Sequence, residues 1–239
     1  MEKKENQYID LGKLVGGFAH EIKNPLSTIA LNLKLLSEEL KNIEGPQERL
    51  LGRVKLLQEE VKRLELILDQ FLRIARPPKL EKHPADLNRV LREISVFVEP
   101  ELKRRGIDLR LYCDESLPLV PMDANLIRQA LLNLVLNAQH ALEKKDRGPK
   151  EIILSSKEKE GKAAITVIDS GIGMKPEVLS KCFKPWYSTK PGGSGLGLPL
   201  TKRIIQNHGG TINIQSELGK GTHIEILLPL EGKFIEEEK

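Results

Sequence analysis

The amino-acid sequence predicts an α+β protein of two domains, in which an antiparallel helical hairpin precedes an α/β sandwich with a mixed sheet. In the first third of the chain, apolar residues recur at alternating steps of four and three, which is the pattern of packed helices. A proline-rich stretch follows, and after it helical segments are mixed with strands that hairpin-type turns connect. We expect the hairpin over residues 1–76, a linker over 77–85, the sandwich over 86–233 and a tail over 234–239.

Composition excludes several classes of protein. The chain has 239 residues, a net charge of +4 and 30% charged residues, and its Lys and Arg alternate with Glu rather than forming a basic block, so we expect no nucleic-acid partner. Cys113 and Cys182 lack metal-ligand spacing, so we expect free thiols in a reducing compartment. There is no signal peptide, and no apolar run approaches the roughly 20 residues that span a bilayer. We therefore expect a cytoplasmic chain without membrane contact.

The first predicted helix covers about residues 8–43 and ends where Gly45 and Pro46 break the pattern. Its expected core positions are Leu11, Val15, Phe18, Ile22, Pro25, Ile29, Leu33, Leu36, Leu40 and Ile43. If Phe18 and Ile22 face the core, His20 faces solvent, Asn24 shares that outer face one turn later, and Glu21 lies at its edge. A proline in mid-helix also predicts a bend just beyond His20.

The second predicted helix covers about residues 50–75 and ends at consecutive prolines. Its expected core positions are Leu50, Val54, Leu57, Val61, Leu64, Leu68, Phe71 and Ala75. Two helices alone cannot bury both of these apolar faces, whereas two hairpins paired in a four-helix bundle can. We therefore predict a homodimer through residues 8–76. The alternative is a monomeric hairpin that packs on the second domain.

In the sandwich, helices and strands are recognised by their periods of 3.6 and two. Three helices are expected. The first starts from a cap at Asp86 or Asn88 and ends at Gly106, the second runs from Asp123 to Leu142, and the third covers about residues 196–208. The expected strands cover residues 107–112, 151–156, 163–169, 211–216 and 222–228. His83, which precedes them, is expected to be an ordinary linker residue.

Two polar clusters in the sandwich could bind a nucleotide. Asn133 and Asn137 project from one face of an otherwise apolar helix, and amide oxygens can bind Mg²⁺ while amide groups can hydrogen-bond phosphate. A strand ends at Asp169 and is followed by Gly171 and Gly173. Glycines allow a flat ligand to approach, and a carboxylate can accept a hydrogen bond from an amino group such as that of adenine. Taken singly, a pair of surface asparagines and an ordinary turn would give the same patterns.

A third cluster is a glycine-rich segment that leads into a helix. Gly193, Gly195 and Gly197 alternate with Ser194, Leu196 and Leu198, and Pro199 comes early in the predicted helix. Unpaired N–H groups and the helix dipole at such an end favour an anion, so a phosphate is expected there. The segment lacks the Lys-Ser/Thr of a P-loop, and no acidic ribose-binding strand follows it as in a dinucleotide-binding fold.

The run from His20 to Leu26, His-Glu-Ile-Lys-Asn-Pro-Leu, resembles the phosphoacceptor motif of two-component sensor histidine kinases at every position. The three clusters, in this order, resemble the nucleotide-binding boxes of the ATPase domain that these kinases share with Hsp90 chaperones, type II topoisomerases and MutL proteins. Two further motifs also resemble those of the kinases. They are Phe183-Lys-Pro185-Trp186, with Trp in place of a final Phe, and Ser188-Thr189-Lys190, which matches the nitrogen-regulation-type branch.

The resemblance implies that the chain binds ATP with Mg²⁺ and autophosphorylates on His20. Glu21 would orient the imidazole ring or accept its proton, and the phosphoryl group would pass to an aspartate of a response regulator. Asn24 would position a water for dephosphorylation of that regulator. Pro77 and Pro78 would form the hinge that brings the two domains together.

The resemblance also assigns roles at the nucleotide. Asn133 and Asn137 would form the asparagine box, with Asn137 as the Mg²⁺ ligand. Asp169 would pair with the adenine amino group, with Gly171 and Gly173 beside it. Residues 184–195 would form a lid, and the phosphates would be bound by Lys190, Gly193, Gly195, Leu196 and Gly197.

Two positions depart from the family pattern. Many family members carry a basic or aromatic residue shortly after the metal-binding asparagine, but Gln139 and His140 stand here, and His140 could substitute. Three alternatives remain open: an ATP-driven clamp of the Hsp90 or MutL kind, an anti-sigma serine kinase, and a degenerate kinase that acts as a dimeric scaffold.

Overall fold

The computed structural model describes residues 11–41, 52–61, 64, 68, 80–190 and 193–230, without the side chains of residues 11–21, 37 and 39–41. The chain divides into two compact units. The helical unit is Met1–Pro77 with Lys190–Leu196, and the sandwich unit is Pro78–Thr189 with Gly197–Lys239.

In the helical unit, helix α1 spans Leu11–Lys41 and continues through Pro25. Helix α2 covers residues 52–61, and residues 64 and 68 are also helical. The predicted turn at residues 44–46 lies outside the described residues. The helical part of the fold prediction is confirmed. Within the part of the chain that the structure describes, no helix is long and apolar enough to cross a bilayer.

One position of the predicted core face of α1 is exposed in the single chain. Leu33 is 54% exposed, whereas its neighbour Asn32 is 8% exposed. The step of seven from the buried Pro25 leads to Asn32, so the alternation of three and four continues through a polar residue that the apolar pattern skips. The Asn32 amide tolerates burial because its Nδ2 donates a hydrogen bond to the Thr28 carbonyl at 2.9 Å.

The sandwich unit contains a five-stranded sheet in the order β2-β4-β5-β7-β6. The strands are β2 Asp108–Cys113, β4 Glu151–Lys159, β5 Lys162–Asp169, β6 Thr211–Glu217 and β7 Gly221–Pro229. Strand β2 is parallel to β4 and the other pairs are antiparallel, which confirms the predicted mixed sheet. The β4–β5 hairpin extends beyond the predicted strand ends, because Glu160 and Gly161 both adopt positive φ and make a tight turn.

Three helices cover one face of this sheet with their apolar sides. They are α3 Leu87–Arg104, α4 Ala124–Glu143 and α6 Gly197–Asn207, and a single turn of helix, α5, covers Pro176–Leu179. Asp86, not Asn88, caps α3 by accepting a hydrogen bond from the Arg89 N–H. Asn88 is buried instead, where its amide donates to the Asp114 carbonyl and accepts from the Ser156 hydroxyl.

A second, two-stranded sheet was not predicted. Strand β1, His83–Ala85, pairs antiparallel with β3, Val120–Met122, and Pro84 lies opposite Pro121. Proline within a short apolar run normally argues against a strand, so the pattern of these residues concealed both strands. The exposed His83 therefore belongs to a strand.

Candidate functional site

Helix α4 forms the wall along which the predicted site residues lie. Asn133, Asn137 and Ala141 are spaced by four, so they follow one another along a single face of the helix. Asn133 contacts the first turn of α6, and Ala141 contacts the segment after β5. Asn137 is half-buried between these two contacts.

At one end of the wall, Asn133 holds α6 close. Its Nδ2 donates a hydrogen bond to Thr201 Oγ1 at 2.9 Å. A Cβ added at Gly197 would lie 2.5 Å from Asn133 Oδ1, closer than van der Waals contact permits. Any larger residue at this first position of α6 would therefore displace the Asn133 amide.

At the other end, Asp169 closes β5 with a carboxylate that is 7% exposed. It accepts hydrogen bonds from the Gly171 N–H at 2.8 Å and from the side chain and backbone of Thr222. Burial raises the pKa of Asp169, and these hydrogen bonds and the nearby Lys145 ammonium oppose that rise. The site thus keeps a hydrogen-bond acceptor in a largely dry environment.

The two glycines after Asp169 are required by packing. A Cβ at Gly171 would lie 2.7 Å from the Ala141 Cβ on α4. Gly173 has φ +64°, and a Cβ there would lie 2.0 Å from the Glu217 carbonyl oxygen at the end of β6. From the sequence, these glycines were expected to let a ligand approach. In the structure, they let neighbouring parts of the protein pack closely.

The predicted lid is divided between the two units. In the sandwich unit, the Lys202 ammonium lies 5.0 Å from the centroid of the Phe183 ring, and Trp186 adopts φ 64°. Lys190–Leu196 belongs to the helical unit, and there the Gly193 N–H donates to the Lys190 carbonyl at 3.1 Å. Residues 191 and 192 lie outside the described part of the chain.

The two residues that depart from the family pattern have different environments. Gln139 is buried, and its Nε2 donates to Glu143 Oε1 at 2.9 Å. His140 is exposed, and its Nδ1 lies 2.6 Å from the Leu136 carbonyl oxygen, so Nδ1–H is the donor. That bond ties the ring to its own helix.

Comparison with known proteins decides the family. Residues 122–232 match the family described as histidine kinase-, DNA gyrase B-, and HSP90-like ATPase, and residues 10–79 match the His Kinase A phospho-acceptor domain. The catalytic domain of histidine kinase ThkA is 30% identical in sequence, with a TM-score of 0.55 over 64% of this chain and 97% of that one. The chain belongs to the sensor histidine kinases.

Other relatives agree with this assignment. Sensor histidine kinase ZraS of Klebsiella oxytoca is 34% identical over 98% of this chain and 49% of its own length, so the chain spans about half of that curated relative. Histidine kinase ThkA in complex with response regulator protein TrrA matches with a TM-score of 0.74 and 28% identity, over 92% of this chain and 62% of that one. The predicted catalytic core is confirmed, and the nitrogen-regulation branch stays a prediction.

The predicted phosphoacceptor residues lie in α1. His20 and Glu21 belong to this helix, but their side chains lie outside the described residues, so the outward orientation of His20 stays a prediction. Asn24, one turn later, is exposed.

Three residues at the candidate site were not predicted from the sequence. Thr222 stands opposite Asp169 in the β5–β7 register, Lys145 lies near the Asp169 carboxylate, and Thr201 accepts the Asn133 hydrogen bond. Thr222 could have been found only by aligning the last hairpin on β5. Lys145 and Thr201 carry no signal in the sequence, because their roles depend on which elements pack together.

Proposed function

We propose that the chain is an ATP-dependent protein-histidine kinase that autophosphorylates on His20. The phosphoryl group then passes to an aspartate of a response regulator in two-component signal transduction. One observation carries this proposal: a single chain matches the phospho-acceptor domain over residues 10–79, which include His20, and the ATPase family over residues 122–232.

Each domain has its own part in this function. We assign dimerisation and phosphate acceptance to residues 1–76, the linker to 77–85, ATP binding to 86–233 and a tail to 234–239. The last three residues of that linker, His83–Ala85, form strand β1 of the sandwich unit. In the second domain, the buried acceptor Asp169 would pair with the adenine amino group. The N-terminal N–H groups of α6, which begins at Gly197, suit the phosphates. The resemblance to the family also assigns phosphate binding to Lys190, Gly193, Gly195 and Leu196.

Asn137 is the residue that would hold Mg²⁺. It is half-buried on the wall formed by α4, between the proposed adenine and phosphate ends, and its amide oxygen is the kind of hard ligand that Mg²⁺ prefers. Mg²⁺ commonly takes only one or two protein ligands when substrate phosphates supply others, so a single amide fits. When bound, the ion would neutralise charge on the phosphates.

The chemistry uses the phosphoacceptor helix. A free imidazole with the ordinary pKa of about 6.5 is largely neutral at pH 7, so a ring nitrogen can attack phosphorus. The new P–N bond forms at His20 as the bond between the γ-phosphorus and the bridging oxygen breaks, and ADP leaves. The proton on the other ring nitrogen passes to Glu21 or to solvent.

The partners follow from the same assignment. Val54, Val61 and Leu68 recur every seven residues and are 42%, 45% and 44% exposed in the single chain. A second hairpin would cover them, which supports a homodimer through residues 8–76. The response regulator is supported by the complex that ThkA forms with TrrA. The thiols of Cys113 and Cys182 are free, which fits the reducing cytoplasm.

Incubation with γ-labelled ATP tests the proposal. We expect acid-labile, alkali-stable label on the wild type and on His83→Ala, a control at an exposed histidine, and none on His20→Ala. An ATP-driven clamp would release phosphate without labelling itself, a serine kinase would yield acid-stable label, and a scaffold would do neither. Any of these three results contradicts the proposal.

A phosphatase activity toward the regulator is a second proposal, supported by the exposed Asn24 one turn after His20. Asn24→Ala should still autophosphorylate but should slow the decay of labelled regulator. Unchanged decay would exclude this second activity.

A further inference from the structure

We infer that Thr201 is a positioning residue for the nucleotide phosphates, because its hydroxyl fixes the first turn of α6 against the asparagine box on α4. The inference rests on the proposed ATP binding and goes further by giving Asn133 a protein partner. The resemblance to the kinase family instead implies that Asn133 contacts the nucleotide itself.

The contacts show a two-point attachment. Thr201 is 1% exposed, and its Oγ1 accepts the hydrogen bond from Asn133 Nδ2 at 2.9 Å. Gly197 lies one turn earlier on the same face of α6, with Asn133 Oδ1 so near that a Cβ there would be 2.5 Å away. One amide therefore contacts α6 at two positions a turn apart, with its nitrogen toward Thr201 and its oxygen toward Gly197.

The hydroxyl is not needed to fill space. Leu200, Ile204 and Ile205 supply the apolar face of α6, and valine has nearly the shape of threonine. A valine at position 201 would keep the volume but would leave the Asn133 N–H without its acceptor in a part-buried place. The amide could then turn, and the first turn of α6 would lose its fixed position.

This arrangement predicts an effect on phosphates and not on adenine. The N–H groups that face an anion are those of the first turn of α6, which Asn133 and Thr201 hold. The adenine end is built by Asp169 and Gly171. Asp169 accepts a hydrogen bond from the Gly171 N–H, and Gly171 packs on Ala141 at the far end of α4. If the first turn of α6 loses its fixed position, ATP binding should weaken and adenosine binding should hardly change.

The experiment is a protein-observed NMR shift titration of the full chain with Mg·ATP and, separately, with adenosine. We expect Thr201→Val to weaken ATP binding by about three- to tenfold, the usual effect of one lost hydrogen bond. Adenosine binding should change by less than about twofold on the same reasoning. Thr201→Ser, which keeps the hydroxyl, should restore ATP binding. Thr166→Val, the same substitution in β5, is the matched control.

A double-mutant cycle tests whether Thr201 affects ATP binding through Asn133. If Thr201 acts through Asn133, Thr201→Val should have no further effect on ATP binding in an Asn133→Ala background. Thr201→Ala takes the place of the valine variant if thermal denaturation shows that the valine variant is unfolded.

Several results would overturn the inference. They are wild-type ATP affinity in Thr201→Val, equal weakening of ATP and adenosine, failure of Thr201→Ser to restore binding, or additive effects in the cycle. A wild-type chain that does not bind ATP would instead refute the proposed function, so the two failures are distinguishable.

Discussion

Asp169 is a carboxylate whose burial opposes the charge that its proposed role requires. Burial raises its pKa, so the folded chain binds a proton there more readily than the unfolded chain does. The folded state is therefore favoured below the raised pKa and loses stability as the pH rises through it and the buried group ionises. The ionised carboxylate suits adenine as a hydrogen-bond acceptor but destabilises the empty site.

The first prediction follows from this loss of stability when the Asp169 carboxylate ionises. Asp169→Asn should raise the melting temperature at pH 8, and the gain should shrink as the pH falls through the raised pKa of Asp169, because the wild type is then protonated too. The same variant should weaken ATP binding about tenfold or more, since a charged acceptor is lost. Calorimetry across pH 4–8 and an ATP titration measure the two effects.

The control for this prediction is Asp146→Asn, which changes an exposed carboxylate on the loop after α4. It should shift the melting temperature little at any pH. A melting temperature for Asp169→Asn below that of the wild type at pH 8 would show that hydrogen bonds to the carboxylate outweigh the effect of its burial.

Single residues show what sequence can and cannot predict. Asp169 and Asn133 were found because nucleotide chemistry demands particular side chains in a particular order. Thr222 and Thr201 were not, because a threonine is an ordinary residue in a strand or a helix until its neighbour across the fold is known. The chemistry of a site is thus more visible in the sequence than the contacts that position it.

At the scale of elements, length decided which predictions held. The long helices and the five strands of the main sheet follow their periods closely enough to be predicted. The three-residue strand β1, the equally short β3 and the four-residue helix α5 are too brief to show a period. On α1, Asn32 is buried where the apolar pattern predicts Leu33, and this difference has another cause. The Asn32 amide can be buried because it hydrogen-bonds to the Thr28 carbonyl of its own helix.

The second prediction concerns Gly173, which follows β5 and packs against the end of β6. Gly173→Ala would place a Cβ 2.0 Å from the Glu217 carbonyl oxygen, at φ +64°. Gly161→Ala has a similar φ of +70° but nothing within 4 Å of the new atom. We expect the Gly161 variant to lose about 1 kcal/mol from the positive φ alone, and the Gly173 variant to lose roughly a further 1–3 kcal/mol from the overlap.

Urea denaturation measures both variants, and the comparison is valid if their m-values equal that of the wild type. Equal losses at the two positions would mean that the β6–β7 hairpin moves away at little cost. The close approach would then not explain why residue 173 is glycine.

At the scale of the whole molecule, the two units differ in how fully one chain buries its own apolar residues. In the sandwich unit, helices cover one face of the sheet and the core residues Leu91, Leu131 and Ile165 are completely buried. On α2, Val61 and its neighbours at steps of seven remain more than two-fifths exposed. Such spacing is that of a helix seam, so the exposed row indicates that another helix covers it.

The third prediction is that Val61→Glu dissociates the proposed dimer, because it places a charge in the middle of that seam, where burial without a partner is unfavourable. Leu119→Glu is the matched control, since Leu119 is 59% exposed in the sandwich unit, away from the seam. Sedimentation equilibrium should give the wild type and Leu119→Glu twice the chain mass of 26.9 kDa, and should give Val61→Glu a mass close to a single chain. A wild type that sediments as a monomer would contradict the proposed dimer and would favour the alternative that the sequence left open, a monomeric hairpin.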